Sequence, residues 1–177
     1  MMNIWTKLGL TAAILFGSSK IFAAKSALKV GNSLKVNIKD ATINKVIANP
    51  FNGGIELKII VELHNRTDDS IVLTQPYTQL LSDDLIISST ERSNKQFKLN
   101  AFSKITLDPI LFVLTWPTII TQLSRVNAGI PREYSVFQKV SYLISNYKAI
   151  VAKLRLGVKY TTEVNGLYYS DIQNLNF

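Results

Sequence analysis

Cysteine is absent from this chain of 177 residues, and histidine occurs once, as His64. The first absence removes disulfides, thiol nucleophiles and cysteine-ligated zinc or iron–sulfur centres. The second leaves a histidine-based metal site short of ligands. A serine–histidine triad would need this one imidazole in a cleft beside a serine and a carboxylate, and no nucleophile-elbow motif is present. Acidic residues are scarce, 12 against 20 lysines and arginines, for a net charge of +8. Such a balance attracts phosphate, as nucleic acid or anionic lipid headgroups, and equally serves plain solubility. No internal repeat or low-complexity stretch interrupts the chain. With 47% hydrophobic and 18% charged residues, it has the composition of a folded protein, and its length fits one domain plus an appendage.

The clearest pattern lies at residues 55–67, I-E-L-K-I-I-V-E-L-H-N-R-T. Ile55, Leu57, Ile59, Val61 and Leu63 fall on every second position, with Glu56, Lys58, Glu62 and His64 between them and Ile60 breaking the polar side. Successive side chains of a strand point to opposite faces, so the pattern predicts a strand with one buried and one wet face. The polar residues 65–69 end it, and Ile71, Val72 and Leu73 start a return strand.

Residues 4–24 are largely apolar and admit two readings. As a signal peptide, Lys7 is the charged start, residues 8–16 the apolar core, and Gly17 and Ser19 the small residues around a cut. As a retained anchor, the stretch is one helix whose length just spans the hydrocarbon at ~1.5 Å per residue. The anchor would bury Leu8, Leu10, Ala13, Ile14, Leu15, Phe16, Ile21 and Phe22, with Lys7, Lys20, Lys25 and Lys29 facing headgroups. Helical character continues through Ala23, Ala24, Ala27 and Leu28 without a proline, which favours the anchor. The domain boundary is placed at residue 30. The lysines that follow the segment predict a domain on the cytoplasmic side.

Further along, Leu34, Val36 and Ile38 alternate, and residues 49–54 carry dense turn chemistry in which Pro50 sets φ and Gly53 and Gly54 admit positive φ. Residues 77–81 and 85–89 flank Ser82-Asp83-Asp84 as a short hairpin. Phe97, Leu99, Ile105 and Leu107 suggest further strands. Residues 110–114 are too short an apolar run for periodicity to choose between strand and helix. Ile119, Ile120, Leu123 and Val126 have helical spacing after Pro117, and Val136, Val140, Leu143, Ile144, Tyr147, Ile150 and Val151 form one amphipathic helical stripe read as core packing. Leu154, Leu156, Val158 and Tyr160 alternate again, and Asn165-Gly166 is a strong hairpin signal.

Short alternating strands with turn signals between them predict a mainly β domain: an antiparallel β-sandwich of fibronectin- or immunoglobulin-like shape, preceded by a hydrophobic helix and carrying a helical insertion at about residues 117–152 before the last strands. An apolar N-terminal stretch, a strand, a long alternating strand ending in an asparagine turn, a return strand and a short hairpin together resemble the late-embryogenesis-abundant type 2, or water-stress hypersensitive response, domain. The likeness covers residues 34–107 and, more loosely, 154–172. The family's Asn-Pro-Thr at the end of the central strand corresponds to Asn65, Arg66 and Thr67, with the proline lost. Its glycine-containing hairpin corresponds to Ser82-Asp83-Asp84, which has no glycine. The resemblance implies a sandwich with no catalytic residues to carry over, in a family with soluble, membrane-anchored, bacterial and phage members.

No catalytic residue, metal site or cofactor is expected. Asp68-Asp69 and Asp83-Asp84 lack the spacing of a cation loop and read as turn solvation. Gly53-Gly54 is not a phosphate loop. Tyr142, Tyr147, Tyr160, Tyr168 and Tyr169 could make a stacking surface but read as packing, and Arg155 and Lys159 give their face charge without an aromatic platform, so no nucleic-acid motif is assigned. The expected function is a non-enzymatic, membrane-anchored structural or interaction protein with a protein partner, of which a virion or envelope component is one form. The alternative is an exported, secreted or periplasmic ligand-binding protein that loses residues 1–19.

Overall fold

The computed structural model describes residues 33–125, 130–131 and 133–177. All the residues assigned to the membrane anchor and its headgroup contacts, together with Val126, lie outside these. The described chain is mainly β, with two antiparallel sheets and three helices. Its elements are β1 (Leu34–Ile47), β2 (Gly54–Asn65), β3 (Ile71–Thr74), β4 (Tyr77–Ser82), β5 (Leu85–Ser89), β6 (Gln96–Leu99), β7 (Lys104–Thr106), β8 (Ile110–Thr115), α1 (Trp116–Arg125), α2 (Val136–Ser145), α3 (Tyr147–Lys153), β9 (Leu156–Val164) and β10 (Leu167–Asn174).

In the first sheet β2 is central, with β1 on one side and β7 and β8 in succession on the other. In the second, β9 is central, with β10 on one side and β3 and β4 on the other; β6 and β5 extend these outward. The alternating residues of β2 are its buried face, as their spacing predicts, and pack in one core with Leu73, Leu80, Val158, Tyr160 and Val164 of the second sheet. β1 lacks strict alternation because two bulges, between Ile38 and Asp40 and between Ile43 and Lys45, slip its register. Each inserted residue restores the inward phase, so Val36, Ala41 and Ile43 lie opposite the inward-facing Leu63, Ile59 and Leu57. Residues 110–114 are strand: Phe112 and Leu114 face the core opposite Leu57 and Ile55.

Two expectations are corrected. Gly53 and Gly54 are not at positive φ, a conformation that Gly166 alone adopts among the described glycines. They are glycine because a Cβ on Gly53 would lie 2.2 Å from the carbonyl oxygens of Ile47 and Asn49, and one on Gly54 2.0 Å from that of Leu114. The stripe at 136–151 is also not one helix. It breaks at Asn146 (φ −121°, ψ 19°), whose N–H and side-chain amide both satisfy the carbonyl of Tyr142. At the other end of α2, Ser135 and Gln138 form a capping box.

The helices close the core at the Gly54 end. Trp116 is fully buried and its indole N–H donates to Ile47 O at 3.0 Å, while the Ser82 hydroxyl donates to Leu154 O at 2.7 Å. At the opposite end the chain enters through Ser33, whose carbonyl accepts the N–H of Arg66 at 2.7 Å. The Asn165-Gly166 turn has both residues at positive φ, 50° and 79°, as its sequence predicts. Among the described residues no helix is long and apolar enough to cross a membrane.

Candidate functional site

Asn65, Arg66 and Thr67 stand at the end of β2 where the chain enters. Asn65 is buried. Its Nδ2 donates to the carbonyls of Asp69 (2.7 Å) and Asn100 (2.9 Å), and its Oδ1 accepts from the N–H (3.0 Å) and hydroxyl (2.8 Å) of Thr67. This knot holds the turn at 65–69 to the one at Asn100, and every polar atom of the Asn65 side chain is spent inside it. Arg66 is exposed beside it. The motif is therefore an architectural joint.

His64 lies on the outer face of β2, directly between Lys35 of β1 and Lys104 of β7. Among the described residues nothing hydrogen-bonds its imidazole, so no group orients it as a triad requires. Asp68 and Asp69 are exposed, Asp83 and Asp84 form the β4–β5 turn, and no cluster of potential metal ligands occurs among the described residues.

The structure makes a recess that no local pattern announced. Along one side, edge strand β6 of the second sheet faces β7 and β8 of the first across a cleft of about 310 Å³. Pro76, Phe97, Ile105, Leu107 and Ile110 supply its apolar surface, and Glu91, Lys95 and Asp108 its charged groups. Phe97 lies opposite the buried Leu73, and Ile105 opposite the buried Leu63, so both point between the sheets where the sheets end. Their alternation was visible in the sequence; that their two strands face each other across the molecule was not.

The tyrosines also separate. Tyr160 is in the core, and burial, then the carboxylate of Asp171, drive its pKa far above the ordinary value. The same two causes raise that of Tyr169. Tyr142 packs edge-on against Tyr134. Tyr168 differs, being 78% exposed on the outer face of β10. Arg155 lies outside β9, at φ 45°, with Nη1 3.9 Å from Asp83 Oδ1. The face of Lys159 does carry aromatics: Tyr77 from β4 and Tyr168 from β10, which line a shallow groove of about 340 Å³ with it. The expectation of a charged face without an aromatic platform fails there, because the rings lie on the two strands that flank β9, of which β4 is distant in sequence.

No family model and no curated protein matches the chain. Among solved structures, it resembles a protein from Archaeoglobus fulgidus at 14% identity and a TM-score of 0.37, over 82% of this chain and 98% of that one. It also resembles Spo0M, a sporulation control protein from Bacillus subtilis, at 16% identity and a TM-score of 0.42, over 81% of this chain and 48% of that one.

Proposed function

We propose that this protein is a non-enzymatic interaction module, held at a lipid membrane of a cell envelope or virion by residues 4–24, and that it engages a protein partner at the lateral cleft. The two facing sheets are read as a β-sandwich of fibronectin- or immunoglobulin-like shape, akin to the late-embryogenesis-abundant type 2 domain. The cleft is the observation that carries the interaction. Its apolar surface is bounded by edge strands whose outer backbone groups have no strand partner among the described residues. An extended segment of another protein can add to such an edge, with main-chain bonds for affinity and the cleft for alternate side chains. For the tether, the support is the sequence of residues 4–24 and the entry of the chain at Ser33, beside Arg66.

Membrane fractionation tests the tether. The full chain should stay with membranes through high salt, which screens lysine–headgroup attraction, and through alkaline carbonate. Leu15→Arg should release it, since a centred charge costs at least ~2.5 kcal/mol on insertion scales. Release by salt alone overturns the anchor.

The size of the cleft favours a second reading, a soluble exported protein that holds a small ligand there, because about 310 Å³ is at the lower end of ligand pockets. Intact mass of the natural protein separates the two: a chain beginning after Ser19 establishes export, and one that retains the segment establishes the anchor.

A further inference from the structure

The outer face of the β9 sheet is built unlike an ordinary wet face. Across it run three rows set by the register: Gln79, Lys159 and Ile172; Tyr77, Thr161 and Ser170; then Glu163 and Tyr168. Two strand spacings of ~4.8 Å and two residue rises of ~3.4 Å put Tyr77 and Tyr168 about 12 Å apart along the diagonal. A disaccharide or trisaccharide bridges that distance.

The chemistry along the diagonal is graded. At one end the Tyr168 ring lies open to water, an arrangement that packing does not explain. In the middle, Thr161 and Ser170 place hydroxyls 3.5 Å apart. At the other end the Arg92 guanidinium stacks 4.9 Å above the Tyr77 ring, and Gln79 Nε2 is 3.4 Å from the Tyr77 hydroxyl. That stacking pre-orients the arginine fork. Neither Arg92 nor Lys159 has an ion-pair partner among the described residues. Lys98, opposite the exposed Val72, adds a third cation on this face, against the single carboxylate of Glu163.

We propose that this face binds an acidic saccharide. Tyr168 stacks on the apolar face of a sugar ring. Thr161, Ser170 and Gln79 hydrogen-bond its hydroxyls, and Arg92 and Lys159 take the carboxylate or sulfate. Single-stranded nucleic acid would also use rings and cations, but it stacks successive bases on several open rings, and here Tyr168 is open while Arg92 stacks on Tyr77. The groove adjoins the lateral cleft, with Gln75 lining both, but Tyr168, Thr161, Gln79, Arg92 and Lys159 do not line the cleft.

Calorimetric titration of the full chain, in a detergent without a sugar headgroup, tests it. The probes are tetrasaccharides of galacturonate, alginate, hyaluronan and heparin, with maltotetraose and a short oligothymidylate beside them. At least one acidic probe should bind, more tightly than either comparison probe. Tyr168→Ala and Arg92→Ala should each weaken it about tenfold or more. Tyr168→Phe, which keeps the ring, should bind as the parent does, and so should Phe51→Ala at the far end of the domain. Three results overturn the assignment: no acidic probe bound at up to ~5 mM, binding indifferent to Tyr168→Ala, or maltotetraose or oligothymidylate bound as tightly as the acidic probes.

Discussion

The backbone N–H of Ile38 donates to the side-chain Oε1 of Gln173 at 3.1 Å, although 135 residues separate them. Nε2 of the same side chain donates to the Val36 carbonyl and, at 3.0 Å, to Asp171 Oδ2. A side-chain amide thus stands in for a peptide group along the open edge of β1 and joins it to β10 of the other sheet. Gln173→Ala should leave the Ile38 N–H and the Val36 carbonyl without these partners and cost about 1–3 kcal/mol, the range for a lost partly buried hydrogen-bond pair. A urea midpoint equal to the parent's would show that water replaces the amide without loss.

The face assignment of β2 is checked by two neighbours. Ile59 is fully buried and pairs with Ala41 and Ile110, so Ile59→Ala should cost ~2–5 kcal/mol. Glu62 lies on the other face, 3.5 Å from Lys104. A half-exposed pair of this kind contributes little, and Glu62→Ala should stay within about 0.5 kcal/mol. Equal urea midpoints for the two variants would overturn the orientation.

Asn65→Asp should be among the most damaging changes outside the core. The amide donates to two carbonyls at 2.9 Å or less, and a carboxylate would point an oxygen at them instead. A loss of ~3 kcal/mol is expected, the cost of leaving buried polar groups unpaired and opposed. Loss of cooperative thermal unfolding, or a midpoint lowered to match, would bear this out.

Tyr160 makes alkaline stability specific. Its hydroxyl is buried with no hydrogen-bond partner among the described residues, so Tyr160→Phe should change stability near pH 7 by less than ~1 kcal/mol. The folded state raises its pKa above the ordinary 10.0. The unfolded chain therefore ionises first, and the contribution of the neutral phenol, complete below about pH 10, is lost as pH rises beyond it. Urea melts at about pH 7 and about pH 11 should show a smaller alkaline loss for the phenylalanine variant. Identical losses would place the phenol in water.

The β4–β5 turn sets Asp83 at φ 44° and Asp84 at φ 65°, a two-residue turn of the type that prefers Asn-Gly. Asp84→Gly should relieve the left-handed strain and raise stability by up to ~1 kcal/mol. Asp83 is left alone in this test because it faces Arg155. A lowered melting temperature would mean that the aspartate makes a compensating contact.

Much of this domain is written in spacing. The period of two at 55–63 determined the buried face of β2, because a strand has no other way to sort its side chains. Asn165-Gly166 determined its turn, because few residues tolerate two successive positive φ angles. The sequence shows Asn146, Gly53 and Gly54 without showing what each does. A helical stripe continues across Asn146 even though its amide ends the helix, and glycine's freedom of φ is the same in sequence whether a turn needs it or a neighbouring carbonyl does. The bulges of β1 have no such mark: Leu34, Val36 and Ile38 alternate regularly, and the register slips only beyond Ile38. What tertiary structure alone decided is which edges meet. Phe97 and Ile105 enclose a cleft because β6 joins β3 in one sheet and β7 joins β2 in the other, Tyr77 and Tyr168 share a face because β4 and β10 flank β9, and Gln173 reaches Ile38 from the opposite sheet. Local patterning sets how one strand divides its faces; the partner across a sheet edge is chosen by the register and packing of the whole core.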